Sequence, residues 1–219
     1  MKGVILSLPV RNKKSITVKK EYKRDFKADL RRYLPVGVLV LFFTAGVISG
    51  SAAFSAGDKA FWADMDFIFP SVFDYMSIPR SFVAFFGSDF LFFSMSLLCG
   101  LSPWGSVAVP FVYGFKGFGT GFAGAMLICT MGLKGFGFYL TVVLPGAFLF
   151  SLCLLFYSVR SMAMSVRIGY SLFSRNSSEN SLPHYAKGFL RLSGKYLILT
   201  FLCALCDVFF RTFVAKIWF

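Results

Sequence analysis

Apolar residues lie in long blocks along this chain instead of alternating with polar ones. The first block, "LPVGVLVLFFTAGVISGSAAFSA" at 34–56, holds no charge. At ~1.5 Å per residue a helix of that length crosses a hydrocarbon layer of ~30 Å with some tilt. A second block covers about 82–100 and is interrupted by Asp89. Either the helix begins at Ser88, with Ser88 or Asp89 capping free amides, or Asp89 is buried; capping is the expectation. "LSPWGS" then reads as a tight turn, and a third block runs over about 107–129. "TMGLKG" makes the next turn, and the fourth block, about 136–159, has Pro145 inside it. The fifth, about 190–210, carries Arg191, Lys195 and Asp207. Lys195 can snorkel from the helix start, and Asp207 and Arg211 stand four apart, where they can pair on one face. The pattern predicts an all-α, polytopic membrane bundle of about five transmembrane helices, in a domain covering 34–219.

The polar segments set its orientation. Residues 1–33 carry eleven Lys/Arg against three acids, directly before the first block. Such an arm is held on the cytoplasmic side and attracts anionic lipid headgroups. The loop 57–80 is then external, without a basic excess, and its Trp62 and Phe residues suit the membrane–water interface. Trp62, Asp64 and Asp66 are its candidate partner-binding residues. The stretch 160–189 falls inside, as its Arg160, Arg167, Arg175 and Lys187 against Glu179 require. Within it, 160–173 mixes basic and apolar residues like a short helix lying on the membrane. Five spans place the C-terminus outside, where Trp218 suits the interface. No inverted repeat of the transporter type is evident.

Composition agrees. Hydrophobic residues make up 57%, Phe alone occupies 30 positions, and charged residues are only 15%, against ~25% in soluble domains. The net charge of +13 sits largely in the N-terminal arm, and no nucleic-acid-binding fold accompanies it. The five cysteines all lie in apolar blocks, which is not a disulfide framework. "CALC" at Cys203–Cys206 has CxxC spacing but lacks a polar surround, so it reads as packing. "VILSLPV" near the N-terminus is too short for a cleavable signal, and the main basic cluster follows it.

Four glycines and a lysine sit inside the apolar stretch "FVYGFKGFGTGF" at 111–122. Gly119 to Gly124 formally match GxGxxG, but no acid follows before Glu179 and both flanks are membrane-like. Gly114, Gly117, Gly121 and Gly124 instead fall three and four apart on one helical stripe. Gly46 and Gly50 form a GxxxG pair in the first block. Small residues at that spacing let helices approach closely in lipid, within one chain or between copies in a homo-oligomer. Lys116, inside the third block, costs of order 3 kcal/mol unless it has a partner or a polar groove. Asp89 and Asp207 are the acids available to it. No catalytic constellation, cofactor site or metal cluster is visible, and His184 lies in a polar loop.

From 90 to 158 an apolar helix ends in Gly100-Leu101, a Gly turn leads into the glycine-striped span, and a second Gly turn leads into a helix carrying Leu144-Pro145. This run resembles the stage II sporulation protein M family. The chain departs from the family at Gly146 and Ala147, where members often have polar residues. The resemblance implies a non-enzymatic plasma-membrane scaffold, one that anchors and localises extracytoplasmic cell-wall hydrolases during sporulation and engulfment. The alternative is a membrane subunit of a small-molecule or lipid transporter, with Lys116, Asp89 and Asp207 lining the path.

Overall fold

The computed structural model describes residues 13–56, 78–173 and 182–214. Among them no strand occurs. The order is α1 (Lys13–Ala56), α2 (Ile78–Leu101), α3 (Gly105–Met131), α4 (Leu133–Phe138), a π turn (Tyr139–Val143), α5 (Leu144–Phe173), α6 (Leu182–Phe209) and a second π turn (Phe210–Val214). The chain divides into two compact units at Pro35 and Val36, and the second of them holds the helix bundle.

Four helical stretches are long and apolar enough to cross a membrane: Tyr33–Ser55, Ser81–Leu101, Leu133–Leu172 and Tyr185–Val214. α3, at 27 residues, is longer than the first two of these, but carries six glycines and Lys116. Each glycine contributes backbone without apolar side chain, which lowers the hydropathy of the segment.

The turns follow from local chemistry. Between α2 and α3 the amide of Ser102 donates to the Cys99 carbonyl at 3.0 Å, and that of Gly105 to Ser102 at 3.1 Å. Ser165 of α5 clasps the turn, donating from Oγ to the Ser102 carbonyl at 2.7 Å and accepting from the Ser106 amide at 2.9 Å. Between α3 and α4 the chain passes through Gly132 at φ 61°, a conformation that side chains with a Cβ resist.

Pro145 is the second residue after the first π turn. A proline inside a helix supplies no amide, and its ring crowds the carbonyl four residues earlier, here Thr141. Widening the helix over Tyr139–Val143 relieves that crowding, so the rod continues without a break. It runs 40 residues from Leu133 to Leu172, about 60 Å at α-helical rise.

The structure corrects three expectations. The stretch 160–173 is not a separate helix lying on a surface. It continues α5, because Ser161, Met164 and Ser165 recur at helical spacing and are buried against the bundle. The 160–189 loop thereby shrinks to the segment between α5 and α6, and His184 falls in the first turn of α6. Finally, α2 begins at Ile78, well before Ser88.

Leu39, Phe92, Val109, Tyr113, Phe150 and Leu154 form the heart of the main core, so α1, α2, α3 and α5 meet there, joined by Cys203 of α6. A second cluster joins Leu127 to Phe138, Val142 and Val143 beside the first π turn. A third joins Phe93, Tyr157, Met164 and Phe189.

Candidate functional site

Glycines bring α1 and α3 into backbone contact. A Cβ added at Gly46 would run into the carbonyl oxygen of Gly114, and one at Gly50 into that of Phe118. From the other side, Cβ atoms at Gly117 and Gly121 would strike the carbonyl oxygens of Phe43 and Val47. Gly114 is looser: a Cβ there would lie 3.1 Å from the Phe42 oxygen. The GxxxG pair of α1 and the stripe of α3 thus face each other. Gly124, the fourth member of the stripe, faces the Tyr139 ring instead, which a Cβ would meet at 3.2 Å. The Tyr139 hydroxyl donates to the Thr120 carbonyl at 3.1 Å.

This contact fixes α3 so that Lys116 points into the bundle. Its Nζ donates to Asp89 Oδ1 at 2.8 Å, with the two side chains only 12% and 11% exposed. The ammonium also lies over the rings of Phe92 and Phe150, 5.1 and 4.6 Å from their centroids. Ring faces carry negative potential and favour a desolvated cation. The Ser88/Asp89 capping expectation is therefore corrected: Asp89 lies eleven residues inside α2, buried and paired. A carboxylate facing a lysine across a helix interface has no need of free amides.

A second pair lies nearby. Arg211 Nε donates to Asp207 Oδ2 at 3.1 Å, one helical turn back, and the guanidinium lies 4.0 Å from the Phe85 centroid. Asp89 is within electrostatic reach of both Asp207 and Arg211. Asp207 occupies the notch left by Gly146 on α5, where an added Cβ would collide with Oδ1. Asp207 Oδ1 and Arg211 Nη1 are buried without a hydrogen-bond partner. The structure thus gathers Asp89, Lys116, Asp207 and Arg211 from α2, α3, α6 and the second π turn into one group of zero formal charge.

Toward the α2–α3 turn a serine ladder replaces the charges. Ser161 Oγ donates to the Ser96 carbonyl at 2.6 Å, and the hydroxyls of Ser96 and Ser158 are 3.4 Å apart. Tyr157 and Ser193 share a hydrogen bond at 3.0 Å, which ties α5 to α6. Tyr113 donates to the Ser151 carbonyl at 3.1 Å. Sequence reasoning gave Gly146 no packing role and passed over this ladder. The 158, 161, 165 spacing was the signal available, since it places three serines on one helical face.

Trp62, Asp64 and Asp66 lie outside the described residues. Of the CxxC pair, Cys203 is buried while Cys206 is exposed. Cys203 packs in the same core cluster as Cys153 of α5. Among the described residues no group of three His, Cys, Asp or Glu side chains stands close enough to hold a metal ion. The GxGxxG stretch lies wholly within α3, so no strand leads into it. Comparison with protein-family models, with curated proteins and with solved structures finds no match.

Proposed function

We propose that this protein is a non-enzymatic, multi-pass scaffold of a bacterial plasma membrane. In this reading α3 is a fifth span, at ~40 Å long enough to cross, which places the N-terminus in the cytoplasm and the C-terminus outside. As the resemblance to the stage II sporulation protein M family implies, its work is to hold extracytoplasmic cell-wall hydrolases at the membrane, through the loop 57–80 that carries Trp62, Asp64 and Asp66.

One observation carries the reading. Among the described residues the charged side chains inside the bundle pair with one another, Lys116 with Asp89 and Arg211 with Asp207, and only Asp207 Oδ1 and Arg211 Nη1 are left over. An ionisable group within a membrane marks a transport path or catalysis by default. Here each cation is neutralised at hydrogen-bond distance and covered by an aromatic ring. Together with the backbone contact of α1 and α3, this is the chemistry of a rigid support. Pairing also makes a lysine tolerable in a span of this kind, since the ion pair cancels the formal charge.

The test is crosslinking in native membranes, purification of the chain, and mass spectrometry of what accompanies it. The expected companion is an extracytoplasmic cell-wall hydrolase, lost when Asp64 and Asp66 are reversed to lysine. A cytoplasmic ATPase in its place would overturn the scaffold in favour of a transporter subunit.

A further inference from the structure

The end of the bundle at the α2–α3 turn carries a strip of bases that no acid of α5 or α6 answers among the described residues. On α6, Lys187, Arg191 and Lys195 stand four residues apart, so they follow one another along a single face. That face is turned away from the core, because Phe189, Ser193 and Thr200, between them in sequence or just beyond, are the buried residues. Arg167 of α5 extends the basic surface at the seam, lying 4.8 Å from the centroid of Tyr185. Among the described residues of α5 and α6 the sole acid is Asp207, already paired with Arg211.

The depth of the strip is what sets it apart from an ordinary basic loop. Phe189 packs at Gly100, the end of α2, so Lys187 is level with the α2–α3 turn. Arg191 and Lys195 then lie about 6 and 12 Å further along the bundle. Ser193, between them, meets Tyr157, whose ring centroid lies 4.6 Å from that of Phe93 in mid-helix. Two cations are therefore held outward against the hydrocarbon below the turn. Leu190 and Ile198, 51% and 65% exposed, flank them. Snorkelling brings their heads toward the surface but supplies no countercharge. An occupant that satisfies this face needs an anionic head at the level of Lys187 and Arg191 and an apolar tail along Leu190 and Ile198.

We propose that this face of α6 is a binding site for an anionic glycerophospholipid, its phosphate held by Lys187, Arg191 and Lys195 and its acyl chain lying along Leu190 and Ile198. Its residues belong to α6 and not to the N-terminal arm, and the site rests on the membrane reading above. Lipid held there fixes the level at which α6 sits and supplies a countercharge to the strip.

The test uses the full chain, reconstituted in vesicles of equal parts phosphatidylcholine and phosphatidylglycerol and then excised in polymer discs. Retained lipid is counted by native mass spectrometry at high salt, which screens the long-range attraction of lipid to the basic charge of residues 1–33. The wild-type protein is expected to retain phosphatidylglycerol. The Lys187→Gln/Arg191→Gln/Lys195→Gln variant should lose roughly tenfold of it, while Lys134→Gln, at the opposite end of α3, loses none. If the triple variant does not fold, Arg191→Gln alone serves. Equal retention by wild type and variant overturns the site. Displacement by inorganic phosphate also overturns it, because that marks a free-anion site. Release of the protein from native membranes by alkaline carbonate without detergent defeats the membrane reading itself, a failure separate from that of the site.

Discussion

Replacing Lys116 with Met, a residue of similar length without charge, strands Asp89 inside the bundle. The attraction it removes is large: at 2.8 Å, and with an effective dielectric of ~20, two unit charges gain several kcal/mol. That gain is offset in the intact pair by the cost of burying both groups, so the net worth of the pair is small. The single variant escapes the offset, because it keeps the buried carboxylate and discards its answer. Breaking one side of a buried pair costs about 3–5 kcal/mol. For a chain of this size 1 kcal/mol moves a melting temperature by roughly 2–4 °C, so Lys116→Met should melt on the order of 10 °C lower. Asp89→Leu should fall comparably, since it strands the ammonium between Phe92 and Phe150. The double variant Lys116→Met/Asp89→Leu should recover most of the loss, because apolar groups of similar volume replace both charges. The assay is a melting series in mild detergent, followed by size-exclusion of the surviving monodisperse protein. A double variant whose loss equals the sum of the two singles refutes the reasoning, since additivity is the mark of residues that do not interact.

The remaining predictions concern packing. Gly121→Leu should destabilise by about 1–3 kcal/mol or disperse the bundle, because its Cβ meets the Val47 carbonyl, whereas Gly37→Ala, with nothing within 4 Å, should be silent; equal melting of the two would refute the α1–α3 contact. With a maleimide, Cys129, exposed three residues before the Gly132 turn, should label, and the buried Cys153 and Cys203 should stay protected until denaturation. Rapid labelling of Cys203 under native conditions would refute the α5–α6 packing around it.

Much of this molecule is visible in one dimension. Apolar blocks long enough to cross a hydrocarbon layer announce helices, since a backbone in lipid must satisfy its own hydrogen bonds. The glycine spacings of α1 and α3 announce close approach, because residues three and four apart share a helical face. The four-residue spacing of Asp207 and Arg211 announces their pair for the same local reason. What the spacing does not carry is which face meets which helix. Asp89 read as a cap because a carboxylate among serines and glycines resembles a helix start. Only the packing of α2 on α3 puts a lysine within 2.8 Å of it. The glycine stripe likewise divides between two neighbours, with Gly117 and Gly121 facing α1 and Gly124 facing Tyr139. Gly146 looked inert until α6 set the Asp207 carboxylate in its notch. Helix existence is a property of consecutive residues and their burial period, which sequence alone determines. Partnership depends on the rotation and offset of helices brought together from distant parts of the chain, and these are decided only when the bundle closes.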